Sequence, residues 1–204
     1  NWEISLAESG AIVAMDPNSG KVLGMVSYPD YDLSMFNGGQ VNNAMWNELL
    51  DQYDPLYNRA ISTKDSPGSI FKLCTSLAGL AEGTITLDER IDDEGAFTYT
   101  DKVHPSKCWT STPEDHQNQT IVEGLTNSCN YFFAEMGYRM GMDTLREYYA
   151  KFGLGSPTGI EIGDTAGRLP SQNEGENLAP WAAFGQANQE YSPLQLANYI
   201  ATLC

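Results

Sequence analysis

A serine and a lysine that could act together stand three residues apart in the chain, as Ser69 and Lys72. In a helix this spacing places the hydroxyl and the amine one turn apart on the same face. A serine hydroxyl is a weak nucleophile unless a base within hydrogen-bonding distance accepts its proton. A lysine can be that base if its surroundings keep it partly neutral. The pair predicts nucleophilic catalysis, and the alternative is an ordinary helix whose lysine extends to water.

A second polar pattern follows in the segment Ser128-Cys129-Asn130. In an extended or tightly turned segment, residues i and i+2 point the same way, so Ser128 and Asn130 would face one cavity. The hydroxyl could pass a proton there, and the amide could hold a carbonyl or amide of the substrate. The pattern recurs at Ser171-Gln172-Asn173, which we interpret as a polar surface loop. We favour the copy at Ser128 because apolar segments flank it on both sides.

Cysteines and histidines in the middle of the chain could bind a metal. Three side chains offer ligands for a structural zinc: Cys108, His116 and Cys129. A fourth ligand could come from a nearby side chain: His104, Asp101 or Asp115. The spacing lacks the short Cys-x2-4-Cys pair that is typical of zinc sites. Two alternatives stay open, namely a disulfide between Cys108 and Cys129, or free thiols with a surface histidine.

Apolar periodicity and turn residues predict the elements that must position these groups. Two β-prone runs flank the turn Pro17-Asn18-Ser19-Gly20, which predicts a hairpin over 11–28. The segment after Ser69 is strongly apolar as far as Gly83, which predicts a buried helix with Lys72 as an unusual polar member. Other helices are predicted over 41–51, 143–152 and 192–203, and residues 84–120 are predicted to be mostly loop.

Length and charge limit the fold and the partners. The chain has 204 residues, enough for one domain, or one domain with a small subdomain, around a sizeable core. Its net charge of -16 argues against nucleic acid or an anionic membrane surface as a direct partner. No stretch is long and apolar enough to predict a membrane span, and no signal peptide opens the chain.

The pair Ser69-x-x-Lys72 followed by Ser128-x-Asn130 resembles the penicillin-binding transpeptidases and their serine β-lactamase relatives. Several further segments are similar, in the same order, to the class B penicillin-binding proteins: Ser9–Tyr28, Asn58-Arg59-Ala60, Phe152-Gly153-Leu154-Gly155, and Gly185-Gln186. The resemblance implies a partial transpeptidase domain over 1–204. Its fold class would be α+β and β-lactamase/transpeptidase-like: an antiparallel sheet packed with helices, plus a helical subdomain over about 69–180.

The resemblance also implies an activity, namely cross-linking of peptidoglycan stem peptides by a D,D-transpeptidase. Ser69 would form the acyl-enzyme, Lys72 would accept its proton, Ser128 would relay that proton, and Asn130 would bind the substrate amide. β-Lactams would acylate Ser69, and no cofactor would be required. Implied partners are a glycosyltransferase and other cell-wall synthesis proteins. The whole protein would be anchored to the cell membrane by an N-terminal helix, with this domain on the extracytoplasmic face.

One departure from the family concerns its third motif. No Lys-Thr-Gly or Lys-Ser-Gly occurs in the sequence, and the chain stops at Cys204, where the family continues into further strands of its sheet. We therefore expect the C-terminal sheet strands to be missing and the chain alone to be inactive or nearly so. Two other functions stay open. They are a serine β-lactamase, although its Glu-x-x-x-Asn pattern is not evident, and a penicillin-sensing binding module that is acylated without turnover.

Overall fold

A computed structural model of the chain describes residues 8–37, 43–50, 54–99, 104–110, 112–172 and 178–204. Its strands form two antiparallel pairs: β1 (Gly10–Met15) with β2 (Val22–Tyr28), and β3 (Ala96–Phe97) with β4 (Ser106–Lys107). Its helices are α1 (Asn43–Leu50), α2 (Arg59–Ser62), α3 (Lys72–Ala81), α4 (Ile121–Thr126), α5 (Asn130–Lys151), α6 (Ala179–Ala182) and α7 (Pro193–Thr202). Short 3-10 helices occur at Leu33–Phe36, Gly68–Phe71 and Pro113–His116.

The chain forms two compact units. The first comprises the described residues of Asn1–Lys64 together with Pro157–Ala166 and Ser192–Cys204. The second comprises Asp65–Ser156 and Gly167–Tyr191, and it contains every candidate site residue identified above. The predicted helical subdomain over about 69–180 stays a prediction. None of the helices in the described ranges combines the length and the apolar composition needed to cross a bilayer.

The first unit is built on the hairpin of β1 and β2, as the turn residues predicted. The turn is closed by Asp16, whose carboxylate accepts a hydrogen bond from the Ser19 hydroxyl at 2.5 Å. Helix α7 packs against β1 and confirms the helix predicted over 192–203. Its N-cap Ser192 and Gln195 form a capping box, in which each side chain accepts from the backbone N–H of the other residue.

The core of the second unit lies where α3, α4 and α6 pack against α5. Fully buried apolar side chains come from several segments: Phe71, Cys74, Ala78, Ile85, Ile121, Phe132, Phe133, Met136 and Phe184. The helix predicted over 143–152 is the second part of α5. The first part was not predicted, and Gly141 interrupts the helix between the two with φ 75° and ψ 166°.

The helix after Ser69, predicted to be buried, is buried on one face and exposed on the other. One face of α3 is buried and includes Lys72 and Cys74. On the other face Leu73 and Leu77 are exposed, by 36% and 44%, and so is Ile70 in the preceding 3-10 helix, by 40%. Most residues of the helix are apolar, but α5 and α4 cover only part of the surface of a helix with 3.6 residues per turn.

The turn before Ser69 depends on a close approach of two glycines. Gly68 has φ 63° and donates its N–H to the carbonyl of Gly185 at 3.0 Å. Gly185 has φ 79°, and a Cβ there would lie 2.2 Å from the Gly68 carbonyl oxygen. Only a residue without a Cβ fits this position, because both the left-handed backbone and the short distance exclude a side chain.

We therefore expect Gly185→Ala to lower the free energy of unfolding by about 2–5 kcal/mol, since backbone strain and steric overlap add. Gly83→Ala is the matched control, because Gly83 also has a left-handed φ of 67° but open space around its Cβ position. The control should cost about 1–2 kcal/mol. Denaturant titrations measure both values, and equal losses for the two variants would contradict the proposed close approach.

Candidate active site

The first predicted site residue, Ser69, lies in the 3-10 helix Gly68–Phe71, immediately before α3 begins at Lys72. Ser69 is exposed, whereas Phe71 is fully buried. The Phe71 ring lies 4.7 Å from the ring of Tyr149 and 5.2 Å from that of Tyr191, measured between centroids. The apolar side of this turn therefore anchors it in the core and leaves the Ser69 hydroxyl on the accessible side.

Lys72 is buried, with 1% of its side chain area exposed. Its Nζ donates to the Ser128 carbonyl at 2.7 Å, to the Ser128 hydroxyl at 3.0 Å and to Asn130 Oδ1 at 2.7 Å. Burial lowers the pKa of Lys72 to about 8, and the negative charge of nearby cysteine sulfurs opposes that shift. The alternative of a lysine that extends to water is wrong, because oxygen acceptors inside the fold replace the water.

Ser128 and Asn130 face the same point, as the pattern predicted, although the backbone is turned rather than extended. Ser128 has a left-handed φ of 52°, which is uncommon for a residue with a Cβ. Helix α5 starts at Asn130, directly after this turn. The Ser128 hydroxyl lies 3.1 Å from Ser69 Oγ and is its hydrogen-bond donor. The turn thus brings both side chains to Lys72 and one of them to Ser69.

These contacts connect Ser69 to Lys72 through the hydroxyl of Ser128. A hydroxyl can accept one proton while it donates another, so the arrangement offers a path from a nucleophile to a base. A lysine with a lowered pKa is partly neutral near neutral pH and can accept that proton. The geometry is therefore suited to activating Ser69 for attack on a carbonyl.

The predicted metal ligands also come together, and a fourth group joins them. Ligand atoms of Asp93, Cys108, His116 and Cys129 all lie within 4.8 Å of one another. Cys108 Sγ is 3.1 Å from His116 Nδ1 and 3.6 Å from Cys129 Sγ. Asp93 Oδ2 is 3.8 Å from His116 Nδ1 and 3.5 Å from Cys129 Sγ. Tetrahedral zinc with bonds of about 2.0–2.3 Å places its ligand atoms about 3.3–3.8 Å apart, and the four measured distances of 3.1, 3.5, 3.6 and 3.8 Å are close to that spacing.

One interpretation of these residues is corrected by burial. His116 is 4% exposed, so the alternative of a surface histidine is wrong. Cys108 and Cys129 are free thiols. The hydrogen bond between them lowers the pKa of Cys108 to about 4 and raises the pKa of Cys129. Such a pair holds one thiolate, the form of cysteine that binds metals.

The fourth ligand was not predicted. Among the candidates named above, His104 is exposed, Asp115 accepts from the Thr112 hydroxyl, and Asp101 lies outside the described residues. Asp93 takes the position instead, because an isolated bridge between Ile91 and Gln119 brings its segment beside His116. The sequence signal for this ligand is weak. A single apolar residue, Ile91, which is buried in the structure, precedes the acidic run at 92–94.

A separate cavity of about 430 Å³ lies in the first unit. Its lining includes Met15, Lys21, Thr158, Glu161, Leu194 and Asn198. It contains none of the predicted catalytic or metal-binding residues, which all belong to the second unit. This cavity is therefore not the site where the candidate catalytic groups meet.

The chain is similar to known proteins over nearly its whole length. The model of the penicillin binding protein transpeptidase domain matches residues 10–204. A curated relative, peptidoglycan D,D-transpeptidase MrdA of Haemophilus influenzae, is 32% identical over 199 residues. That match covers 93% of this chain but 30% of the relative. The chain therefore spans less than a third of the length of that protein.

Solved structures give the same result for the fold. Penicillin-binding protein A from M. tuberculosis, as an imipenem acyl-enzyme complex, is 30% identical with a TM-score of 0.85, over 95% of this chain and 45% of that one. Penicillin-binding protein PBP2 from Helicobacter pylori, in a complex with MreC, is 25% identical with a TM-score of 0.84, over 95% and 37%. The predicted α+β, transpeptidase-like fold class is confirmed. With both sequence and fold matched over nearly its whole length, the chain belongs to the penicillin-binding protein transpeptidase domain family.

Proposed function

We propose that the protein to which this chain belongs is a peptidoglycan D,D-transpeptidase with Ser69 as its nucleophile. The proposal rests above all on the hydrogen-bonded connection from Ser69 through Ser128 to the buried Lys72. A buried amine with a lowered pKa, connected to a serine by a proton relay, is typical of a catalytic site and is not needed to stabilise a core. Membership of the transpeptidase family supports the same conclusion.

In the proposed reaction, Ser69 Oγ attacks the carbonyl between the last two residues of a D-Ala-D-Ala stem peptide. Its proton passes through Ser128 to Lys72, and Lys72 then gives it back through Ser128 to the departing D-alanine amine, not to the acylated Ser69. The ester on Ser69 is then attacked by the amine of a second stem peptide, which forms the cross-link and restores the hydroxyl. Side chains alone perform this acyl transfer, so it requires no cofactor.

Two groups would bind the donor during these steps. The Asn130 side-chain amide faces the relay and would hold the peptide amide of the donor. The Ser69 backbone N–H, in the first turn of its 3-10 helix, would stabilise the oxyanion. The Lys-Thr/Ser-Gly motif of the family is not in these 204 residues. In the proposal, the second oxyanion donor comes from sequence outside them, and the chain alone is inactive or nearly so, since one lost donor costs about 100- to 1,000-fold.

Partners and location are part of the same proposal. The related H. pylori protein was solved in a complex with MreC, which supports a protein partner for this chain as well. We propose a glycosyltransferase and other cell-wall synthesis proteins as partners, and a membrane anchor outside this sequence with the domain on the extracytoplasmic face. The net charge of -16 disfavours nucleic acid as a further partner.

A structural zinc ion at Asp93, Cys108, His116 and Cys129 is a second proposal, and it rests on the ligand distances given above. Asp93 is buried and its second oxygen accepts from the Gly95 N–H at 2.8 Å, which orients the carboxylate. Cys129 lies between Ser128 and Asn130 in the chain. A metal bound there would hold the turn that presents both residues to Lys72, without taking part in the reaction.

The nucleophile is tested with a fluorescent penicillin. We expect Ser69→Ala, in the protein at its full encoded length, to abolish covalent labelling because no acyl-enzyme can form. Ser66→Ala is the matched control, since this exposed serine lies three residues earlier in the same segment, and its labelling should be unchanged.

Undiminished labelling of Ser69→Ala would refute the assignment of the nucleophile. Turnover of a chromogenic cephalosporin separates the remaining functions. One stable equivalent fits a transpeptidase or a sensing module, which a cross-linking assay then distinguishes, whereas many turnovers would favour a serine β-lactamase.

The base is tested by the pH dependence of acylation. Lys72 accepts a proton only when neutral, so the acylation rate should rise from about pH 6 and reach half its maximum near a pH of about 8. Lys72→Arg should lose at least ~100-fold, because a guanidinium stays charged. Lys64→Arg, at an exposed lysine, is the control. A flat profile over the same range would contradict the role of Lys72.

The metal is tested by elemental analysis of the purified protein. We expect about one zinc per chain, a lower melting temperature after chelation, and loss of the metal in Cys108→Ser and His116→Ala. Cys204→Ser is the control, because this exposed cysteine lies outside the cluster. Metal-free protein whose melting is unchanged by chelation would exclude the site, and a Cys108–Cys129 disulfide in mass spectrometry would support the alternative pairing.

A further inference from the structure

Two cysteine sulfurs lie side by side at the turn Ser128–Asn130, which we call the catalytic turn. Cys108 Sγ is 3.6 Å from Cys129 Sγ, and both cysteines are free thiols. The two residues are 21 positions apart in the chain, so tertiary packing brings their sulfurs together. Thiols this close need only a small movement to form a disulfide.

The two sulfurs differ in their access to solvent. Cys129 is 1% exposed, whereas Cys108 is half-buried. Cys108 Sγ accepts the Asn130 N–H at 3.3 Å, and a backbone donor of this kind favours the thiolate, which is the form that attacks an oxidant. An accessible thiolate beside a second, protected thiol is the arrangement typical of redox-sensing cysteine pairs.

We propose that Cys108 and Cys129 form a reversible oxidation site that controls acylation of Ser69. The Cys108 thiolate attacks one oxygen of hydrogen peroxide, the O–O bond breaks, and Cys108 becomes a sulfenic acid while hydroxide leaves. Cys129 Sγ then attacks Cys108 Sγ, and the disulfide forms as the Cys129 proton and the departing hydroxide leave as water. In total, two thiols and one peroxide give one disulfide and two waters, so the sulfurs are oxidised and the peroxide is reduced. A dithiol reverses the change.

Oxidation weakens two hydrogen bonds that hold the start of α5. Cys129 is the N-cap of this helix and accepts the Phe132 N–H at 3.4 Å, and Cys108 accepts the Asn130 N–H. A disulfide sulfur carries no charge and is a weaker acceptor than a thiolate. Joining the two sulfurs also draws them closer than 3.6 Å. The backbone at Cys129 therefore moves when the disulfide forms.

That movement reaches the proton relay through the chain itself. Cys129 is bonded directly to Ser128, whose left-handed φ of 52° is maintained only by its surroundings. The Ser128 hydroxyl contacts Ser69 Oγ at 3.1 Å and Lys72 Nζ at 3.0 Å, and both contacts are lost when the turn shifts. This effect rests on the proposed function, since it requires an acyl-enzyme at Ser69, whereas the disulfide itself does not.

Metal binding and oxidation exclude each other at this pair. Zinc needs thiolate ligands, and a disulfide sulfur no longer serves as one. Oxidation therefore removes two of the four groups that come together here and leaves Asp93 and His116. The zinc proposed above is released as the disulfide forms.

The test compares the protein at its full encoded length before and after treatment with hydrogen peroxide. We expect peptide mass mapping to find a Cys108–Cys129 disulfide, and a chromogenic chelator to detect the zinc that is released. The rate constant for acylation by a fluorescent penicillin should fall by about 10- to 100-fold, because small displacements of catalytic groups have effects of this size. Dithiothreitol with added zinc should restore it.

Two variants assign the effect to this pair. Cys108→Ser cannot form the disulfide, so peroxide should leave its own rate constant unchanged, whatever the initial value. Cys204→Ser lacks an exposed cysteine outside the cluster and should respond to peroxide as the wild type does. If Cys108→Ser does not fold, mass mapping of oxidised Cys204→Ser identifies the pair instead.

Four results would overturn the inference. They are thiols that stay free at peroxide concentrations that oxidise Cys204, a disulfide that leaves the acylation rate constant unchanged, a loss that dithiothreitol and zinc do not reverse, and an equal loss in Cys108→Ser. A reduced wild-type protein that the penicillin never acylates would instead overturn the proposed function. Mass mapping would then still decide whether Cys108 and Cys129 form an oxidation site.

Discussion

The burial of the Lys72 amine is the constraint on which the second unit depends. An amine removed from water must find oxygen acceptors inside the fold, and Ser128 and Asn130 supply three. These acceptors lie 56 and 58 residues further along the chain. The left-handed backbone at Ser128 is the local cost of bringing a carbonyl, a hydroxyl and an amide to one nitrogen. Burial lowers the pKa of Lys72 to about 8 against the opposing charge of the cysteine sulfurs, so part of the amine is neutral near neutral pH.

The same turn also faces the thiol and imidazole cluster. Between Ser128 and Asn130, which contact Lys72, the side chain of Cys129 points to Cys108 and Asp93. The Asn130 N–H donates to Cys108 Sγ, so the cluster and the catalytic turn share backbone as well as sequence. A change in the charge or ligation of the cluster would therefore change the pKa of Lys72, because negative charge on the cysteine sulfurs opposes its lowering.

The nucleophile is held by different contacts. Phe71 anchors the turn in an aromatic core with Tyr149 and Tyr191, and the Gly68 N–H is bound by Gly185. Ser69 is thus fixed from the side of α3, whereas Ser128 is fixed from the side of α5. The 3.1 Å contact between the two hydroxyls joins these independently supported parts. Such a division explains how an exposed serine keeps a defined position without being buried itself.

Local signals were sufficient for several parts of the molecule. The spacing of Ser69 and Lys72, the turn of the β1–β2 hairpin and the helix predicted over 192–203 depend on contacts within a few residues, which the order of residue types specifies. Asp93 as a neighbour of His116, the buried state of His116 and the exposed face of α3 could not be predicted in this way. They follow from the pairing of Ile91 with Gln119 and from the packing of α3 on α5. Segments distant in the chain meet only when the whole unit folds. The partners of a buried charge are therefore determined by tertiary packing and not by the spacing of residues along the sequence.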